Sequence, residues 1–177
     1  MAVPTSRWSA AASQPAAAPC LDCRPAACAA ELAAHFRIRH QVFVVEQGLF
    51  RSGGGGQPGG DRDARDDDPA TIHVIGLAGG VIGGTVRLYP LGPPGRWKGD
   101  RLAVLPEHRR HGLGAPLVRF AVAMAAALGG QEMEAYIQPA NVRFFAWLGW
   151  RPAGRIVEYA GIDHQRMVIP LVAGPPS

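Results

Sequence analysis

Length and composition predict one globular domain. The chain has 177 residues, which is enough for one domain with a hydrophobic core but short for two, and 47% of the residues are hydrophobic and 18% charged. The net charge is +4, but seventeen of the eighteen basic residues are Arg and no basic run alternates with aromatic residues, so this charge does not predict nucleic-acid binding. No apolar run reaches the roughly 20 residues that span a bilayer, so we expect no membrane insertion.

The first third of the chain predicts a leader, a strand, a helix and a loop. Residues 1–19 are rich in Ala, Pro and Ser and lack the apolar segment of a secretory signal, so we expect a disordered leader and a cytoplasmic protein. A short strand over 20–24 leads into a helix over 26–47, whose apolar residues recur at near-helical spacing. Residues 51–68 combine six glycines with five acidic residues, which predicts a mobile loop.

Strands and helices alternate through the rest of the chain. A hairpin is indicated at Gly79-Gly80, between two β-branched runs. Asn141 is expected to cap the helix that follows it. We expect a single domain over 20–173 and a tail over 174–177. The remaining elements are predicted as strands over 71–77, 81–89, 101–105, 133–137, 151–159 and 165–172 and helices over 112–128 and 142–148.

Three cysteines near the start leave a metal site as a minor alternative. Cys20, Cys23 and Cys28 could bind zinc if His35 or His40 supplied a fourth ligand. Cysteines three apart on a strand point to opposite faces, which argues against a shared ion. We therefore expect reduced cysteines and no metal.

The clearest functional signal is the turn Arg109–Ala115, with the sequence Arg-Arg-His-Gly-Leu-Gly-Ala, between a predicted strand and a long predicted helix. The first amides of a helix lack intrahelical partners and the helix dipole adds positive potential there, so this turn predicts an anion site. Gly112 and Gly114 let a phosphate approach the backbone. The spacing fits neither the nucleotide-triphosphate loop nor the dinucleotide fingerprint.

The Arg-x-x-Gly-x-Gly pattern, preceded by Leu-Ala-Val-x-Pro-Glu, resembles the Gcn5-related N-acetyltransferase (GNAT) superfamily. The resemblance implies an α/β (α+β) fold, with a mixed, mostly antiparallel sheet of splayed central strands flanked by helices. It implies acetyl-coenzyme A as acyl donor, with the strand at Ala103 and Val104 along the pantetheine arm and Asn141 as a further contact. The residues implied at the pyrophosphate are Arg109, Arg110, His111, Gly112, Leu113, Gly114 and Ala115.

Three further segments resemble one branch of that superfamily. Arg39–Gln47 matches Arg-x-x-Val-Phe-Val-x-Glu-Gln, Gly83–Pro90 is similar to its third strand, and Glu158–Met167 matches Glu-x-x-Gly-Ile-x-His-x-x-Met. The first two segments also resemble acyl-homoserine-lactone synthases, which share the fold. The phosphate turn and the last hairpin suit an acetyl-coenzyme A user better, so the lactone synthase is kept as the alternative enzyme.

The implied reaction is direct transfer of acetyl to a neutral amine, which needs a base. We predict Glu46, Glu158 and His164 as catalytic residues. Glu158 and His164 flank a tight turn, so they could face each other across two antiparallel strands and form a tuned base. A hydrogen bond that only stabilises the hairpin is the equal alternative.

Phe145 departs from the family pattern, because many members carry a tyrosine at that position as acid for the leaving thiolate. Either the thiolate leaves unassisted or another group serves, with Tyr136 and Tyr159 as conceivable replacements. The same departure leaves open a non-catalytic acyl-coenzyme A-binding module.

The acceptor is the part of the reaction that the residues identify least. Arg39 and Arg87 either bind an acidic part of the acceptor or tie the helix to the sheet. The resemblance implies a small-molecule amine, and the acidic loop would suit a cationic one. Dimers are common in this fold, but no interface shows in the pattern, so a homodimer stays open.

Overall fold

A computed structural model describes residues 18–50, 60–159 and 161–172 of the chain. The expected tail over 174–177, almost all of the expected leader over 1–19 and most glycines of the expected loop lie outside the described residues. None of the described helices is long and apolar enough to cross a membrane.

Seven strands and four α-helices form the described part. The strands are β1 (Leu21–Pro25), β2 (Ile72–Ala78), β3 (Val81–Pro90), β4 (Arg96–Val104), β5 (Glu132–Ile137), β6 (Arg151–Tyr159) and β7 (Ile162–Pro170). The helices are α1 (Ala29–Arg39), α2 (Pro106–Arg109), α3 (Gly114–Ala127) and α4 (Val142–Trp147), with a π-helix at His40–Glu46 and 3₁₀ turns at Ala64–Asp67 and Pro139–Asn141.

The strands form one sheet in the order β1-β2-β3-β4-β5-β7-β6. Every neighbouring pair is antiparallel except β4 and β5, which are parallel. The pairing of β4 with β5 stops at Lys98 and Glu134, and the two strands diverge beyond it. The predicted fold class, a mixed and mostly antiparallel sheet with splayed central strands and flanking helices, is confirmed.

Several boundaries differ from the predicted ones. The helix expected over 26–47 is divided into α1 and the π-helix, where the Gln47 N–H donates to the Val42 carbonyl, five residues back. Strand β4 begins five residues earlier than expected, because Arg96–Lys98 pairs with β5, and Trp97 and Lys98 pair with β3 as well. Helix α3 begins only at Gly114, because Gly112 takes a φ of 75° that interrupts the helix.

Two glycines set the distance between α3 and the sheet. A Cβ at Gly84 would lie 2.8 Å from Leu117 Cδ1, and one at Gly76 would lie 3.0 Å from the same side chain. Leu117 is fully buried in this contact. Since interiors are close-packed, the glycines allow α3 to lie directly on the sheet, and this fixes the turn that precedes it. The same core includes the buried residues Val74, Leu88, Met133, Met167 and Trp150.

Candidate active site

The divergence of β4 and β5 opens a cavity of about 470 Å³. Strand β4 continues to Val104 and β5 to Ile137, so their facing edges beyond the paired segment border this opening. The cavity touches β4 over Lys98–Leu102. Other lining residues come from the helical face and from the last hairpin: Val118, Ala121, Phe145, Tyr159 and His164.

A bulge at Arg101 bends β4 beside the cavity. The register with β3 shifts between Thr85 and Arg87, and Arg101 adopts a φ of 53°. The left-handed conformation costs a non-glycine residue roughly 1–2 kcal/mol. The Arg101 side chain donates to Asp63 (3.0 Å) and to the Tyr159 hydroxyl (3.4 Å), which holds the bulge in place. Because bulges bend strands, this one fits the divergence of β4 from β5.

The predicted phosphate turn lies at the start of α3. Gly112 has a φ of 75°, and a Cβ there would meet nothing within 4 Å. The Leu113 and Gly114 amides have no backbone acceptor among residues with a described position, while Ala115 donates back to the Gly112 carbonyl (3.4 Å). Exposed Arg110 and half-buried His111 flank the turn. Leu113 is fully buried, which leaves the Gly114 amide, the open space at Gly112 and the exposed Arg110 as the features that suit the pyrophosphate of coenzyme A.

The end of β4 is partly occupied by the chain itself. Ala103 is buried against Ile38 and Val42, and the Val104 carbonyl accepts a hydrogen bond from Arg109 Nε (3.0 Å). The cavity wall on β4 ends one residue earlier, at Leu102. The role of Ala103 and Val104 along the pantetheine arm stays a prediction.

Glu46 and Arg109, predicted for different tasks, bind each other. Two guanidinium nitrogens of Arg109 donate to the two Glu46 carboxylate oxygens at 2.8 and 2.6 Å. These hydrogen bonds hold the pKa of Glu46 below its ordinary value. An ion-paired carboxylate is a poor proton acceptor, so the structure argues against Glu46 as the base.

Arg39 and Arg87 are held by carboxylates of the chain. Arg39 donates to Asp61 (2.5 Å) and Asp66 (2.6 Å), and Arg87 to Asp66 (2.8 Å) and Asp100 (2.8 Å). Every nitrogen of both guanidiniums donates to an oxygen of the protein. This corrects the expected substrate-binding role: the two arginines tie α1 and the acidic segment to the sheet.

The acidic half of the expected mobile loop is packed rather than solvated. Asp61 and Asp66 are 2% and 7% exposed, and Asp63 caps the 3₁₀ turn that follows it. Burial opposes ionisation of Asp66, but hydrogen bonds from Arg39 outweigh it and hold the Asp66 pKa below its ordinary value. Asp61, Asp63 and Asp66 are therefore held as partners of arginines, which composition alone could not predict, and they are not a free lining for a cationic acceptor, while Asp67 stays exposed.

His164 and Glu158 do not face each other. His164 pairs with Val157, and Glu158 pairs with Asp163 in the next register position, so their side chains point to opposite faces of the sheet. The expected carboxylate–imidazole pair is wrong. His164 is 7% exposed and lines the cavity. Its Nδ1 lies 2.8 Å from the Ile162 carbonyl. A carbonyl only accepts, so Nδ1 carries the proton and Nε2 is the free basic nitrogen.

Phe145 and Asn141 both line the cavity. Phe145 is 5% exposed and packs edge to face against Trp150, with ring centroids 5.4 Å apart. Asn141 occupies the N-cap position of α4, but its side chain makes no capping hydrogen bond, so the predicted cap is wrong. The predicted contact of Asn141 with the coenzyme stays a prediction.

A family model described as "Acetyltransferase (GNAT) family" matches residues 41–150. The chain belongs to this family. The predicted resemblance to GNAT proteins is confirmed, and with it the general class of acyltransferase. We found no significant match among curated protein sequences.

Solved structures of GNAT and related proteins share the fold. Escherichia coli ElaA aligns with a TM-score of 0.69 and 18% identity, over 85% of this chain and 98% of its own. An acyl-CoA N-acyltransferase from Pseudomonas aeruginosa aligns with a TM-score of 0.68 and 22% identity, over 84% of this chain and 97% of its own. The CoA-dependent acyl-homoserine lactone synthase BjaI aligns with a TM-score of 0.67 and 20% identity, over 88% of this chain and 84% of its own. At these identities the likeness concerns the fold.

Sequence reasoning missed part of this GNAT cavity. Tyr89 lines it from β3, and Lys98 and Asp100 line it from β4, close to the point where β4 and β5 separate. Lys98 and Asp100 are two residues apart, the spacing of side chains on one face of a strand. The sequence did not reveal this, because the predicted β4 began only after them, at residue 101. Phe50, which also lines the cavity, follows the π-helix and has a φ of 61°.

Proposed function

We propose that this protein is an acetyl-coenzyme A-dependent N-acetyltransferase that acetylates a primary amine of a small acceptor. The observation that carries this proposal is the cavity between β4 and β5, with the turn before α3 held to the end of β4 by the hydrogen bond from Arg109 to Val104. The turn offers the Gly114 amide and open space to a pyrophosphate, and His164 in the cavity wall offers a basic nitrogen. A thioester donor and an amine acceptor need these two functions.

The donor half rests on the turn at Gly112–Ala115. The Gly114 amide, the α3 dipole and the side chains of Arg110 and His111 would bind the two phosphates. Asn141 would contact the arm of the coenzyme from the opposite side of the opening. When bound, acetyl-coenzyme A supplies an activated acyl group and a thiolate leaving group.

The acceptor half rests on His164 and Tyr159. With Nδ1–H donated to the Ile162 carbonyl, His164 Nε2 can take the proton that an ammonium must lose before it attacks. The Tyr159 ring lies 5.9 Å from the His164 ring, and its hydroxyl oxygen accepts a hydrogen bond from Arg101. The Tyr159 O–H can still donate, so we assign it the role of acid that Phe145 cannot perform.

A thiol-release assay tests this function. Purified protein with acetyl-coenzyme A and a panel of primary amines, diamines and aminoglycosides should release free coenzyme A thiol in the presence of at least one amine. Coenzyme binding without release on any amine would reject the enzyme and favour a binding module.

A lactone synthase would instead consume S-adenosylmethionine. The fold of this chain is as similar to that of an acyl-homoserine-lactone synthase as to that of an acyl-CoA N-acyltransferase. The fold alone therefore does not distinguish the two activities. A lactone product from S-adenosylmethionine and an acyl-coenzyme A would replace the N-acetyltransferase proposal.

A further inference from the structure

The single lysine of the chain lies in the cavity wall. Among eighteen basic residues only Lys98 is a lysine, and it lines the opening from β4. Its ammonium lies 4.9 Å from the centroid of the Tyr136 ring, which lines the same cavity from β5. This cation–π contact directs the Lys98 side chain across the cavity wall, from β4 toward Tyr136 on β5.

The carboxylates nearest to Lys98 along the sheet bind arginines. Glu134, its register partner on β5, accepts hydrogen bonds from Arg96 (3.2 Å) and Arg166 (2.7 Å). Asp100, two residues further along β4, accepts both of its short hydrogen bonds (2.8 Å) from Arg87. The neighbouring negative charges are therefore already neutralised.

Lys98 is left without an ion pair. All fourteen acidic residues lie within the ranges that the structure describes, and none has an oxygen within 4.0 Å of Lys98 Nζ. The other cavity cations, Arg87 and Arg101, both bind Asp63. The cavity wall thus carries the Lys98 ammonium and, on its exposed side, the Glu158 carboxylate, neither of which has an ion pair among the described residues.

We propose that Lys98 binds a carboxylate of the acceptor, so that the substrate class is an amino acid whose amine reaches His164. This inference rests on the proposed N-acetyltransferase function. A single ammonium complements a monoanion, whereas a phosphate dianion would need a second cation, and Arg87 and Arg101 are already bound to Asp63. One unpaired ammonium and one unpaired carboxylate in the wall complement an amine that carries a carboxylate better than a polyamine.

The spacing of the two groups further defines that acceptor. Tyr159 contacts both Arg101 and His164, which places the basic imidazole at the level of Arg101 on β4. Arg101 lies three residues from Lys98, which is at most about 10 Å, because the bulge at Arg101 shortens the strand. Amine and carboxylate are therefore several bonds apart in an acceptor that bridges them. An ω-amino acid such as 5-aminopentanoate fits, and an α-amino acid such as glycine is too short.

The unique lysine allows a direct binding experiment. Reductive ¹³C-methylation keeps the charge of a lysine and labels only Lys98 and the α-amino group of the full-length protein. A Lys98→Arg variant identifies the resonance by its loss. Titration with 5-aminopentanoate should shift the Lys98 signal to saturation, and n-pentylamine, which has the same chain without the carboxylate, should leave it in place.

A kinetic comparison uses the same matched pair of amines. A charged hydrogen bond to the carboxylate should give 5-aminopentanoate at least a ten-fold advantage over n-pentylamine in kcat/KM for thiol release. Lys98→Met should abolish the advantage, and Lys98→Arg should restore most of it. An unchanged preference in Lys98→Met would overturn the proposal.

Three other results would also overturn it. An unmoved Lys98 resonance with 5-aminopentanoate excludes the carboxylate contact, and tighter binding of O-phosphoethanolamine would assign the site to phosphate. A mass gain of one acetyl group on Lys98 after incubation with acetyl-coenzyme A would make the lysine itself the acceptor. Because the titration measures binding, it still decides the proposal if no amine releases thiol and the proposed function fails.

Discussion

Arg109 forms a bidentate ion pair with Glu46, at 2.8 and 2.6 Å, that joins the π-helix to the phosphate turn. Arg109 also donates to the carbonyl of Val104, so one side chain connects α2, the π-helix and the end of β4. Both partners are partly exposed, so water screens the pair and its contribution to stability is small.

The pair predicts that Glu46 is dispensable for chemistry. Glu46→Gln removes one charge but keeps a side chain of the same size, so kcat/KM should change less than about five-fold, the effect of an exposed ion pair. The acid limb of the pH–rate profile should be unchanged. Thiol release measured from pH 5 to 9 checks both expectations. A loss of a hundred-fold or more would restore Glu46 as a base.

His164 is predicted to provide the basic nitrogen. His164→Gln should lower kcat/KM by about 10²–10⁴, the usual contribution of general base catalysis. Asp163→Asn is the matched control, because exposed Asp163 precedes His164 in β7 and is not among the residues that line the cavity, so its loss should change the rate only a few-fold. An equal loss in the two variants would contradict the assignment of the base to His164.

Buried His35 predicts a loss of stability in mild acid. Burial, with the nearby charge of Arg39, lowers the pKa of His35 to about 3, against 6.5 in the unfolded chain. Between these values the unfolded chain binds a proton that the folded chain excludes, so stability falls as pH falls. From pH 7 to 5 the free energy of unfolding should drop by about 2 kcal/mol through His35.

Urea denaturation at pH 7, 6 and 5 measures this loss. His35→Leu keeps the site apolar and should reduce the pH dependence, leaving the part due to His73, whose pKa burial also lowers. His40→Leu, at an exposed position one residue beyond α1, should keep the wild-type dependence. A His35→Leu variant with the full wild-type slope would contradict the assignment.

Gly84 is predicted to be intolerant of a methyl group. Gly84→Ala places a Cβ 2.8 Å from Leu117 and 3.2 Å from the Ala103 carbonyl, so α3 must move away from the sheet. Overpacking of this kind should reduce the free energy of unfolding by about 1–3 kcal/mol in urea denaturation. Gly92→Ala, where a Cβ meets nothing within 4 Å, should stay within about 0.5 kcal/mol of wild type. Equal stability of the two variants would reject the packing argument.

Local patterns predicted the elements and the turn well, because their signals are short-range. The order of strands and helices followed from periodicity, and the turn from the glycines at 112 and 114. The pairing of Arg39 with Asp61 and Asp66 spans 22 and 27 residues, so it depends on how segments meet in the fold. No local pattern encodes such a contact.

The error at the last hairpin has a different cause. Side chains on a strand alternate, so a displacement of one residue in the register reverses the face. The Glu158 and His164 positions suggested a pair across the turn, but Tyr159 pairs with Ile162, which sets Glu158 opposite Asp163. Lys98 was missed because its partners Tyr89 and Glu134 become its neighbours only through the sheet.

Binding of coenzyme A to the turn at Gly112 tests the central claim most directly. Isothermal titration should give micromolar-scale binding to wild-type protein and at least a hundred-fold weaker binding to Gly112→Trp, whose indole fills the space for the pyrophosphate. Gly129→Trp is the matched control, since Gly129 also has a positive φ (83°) and open surroundings but follows the far end of α3. It should bind like wild type. Wild-type affinity in Gly112→Trp would contradict the account.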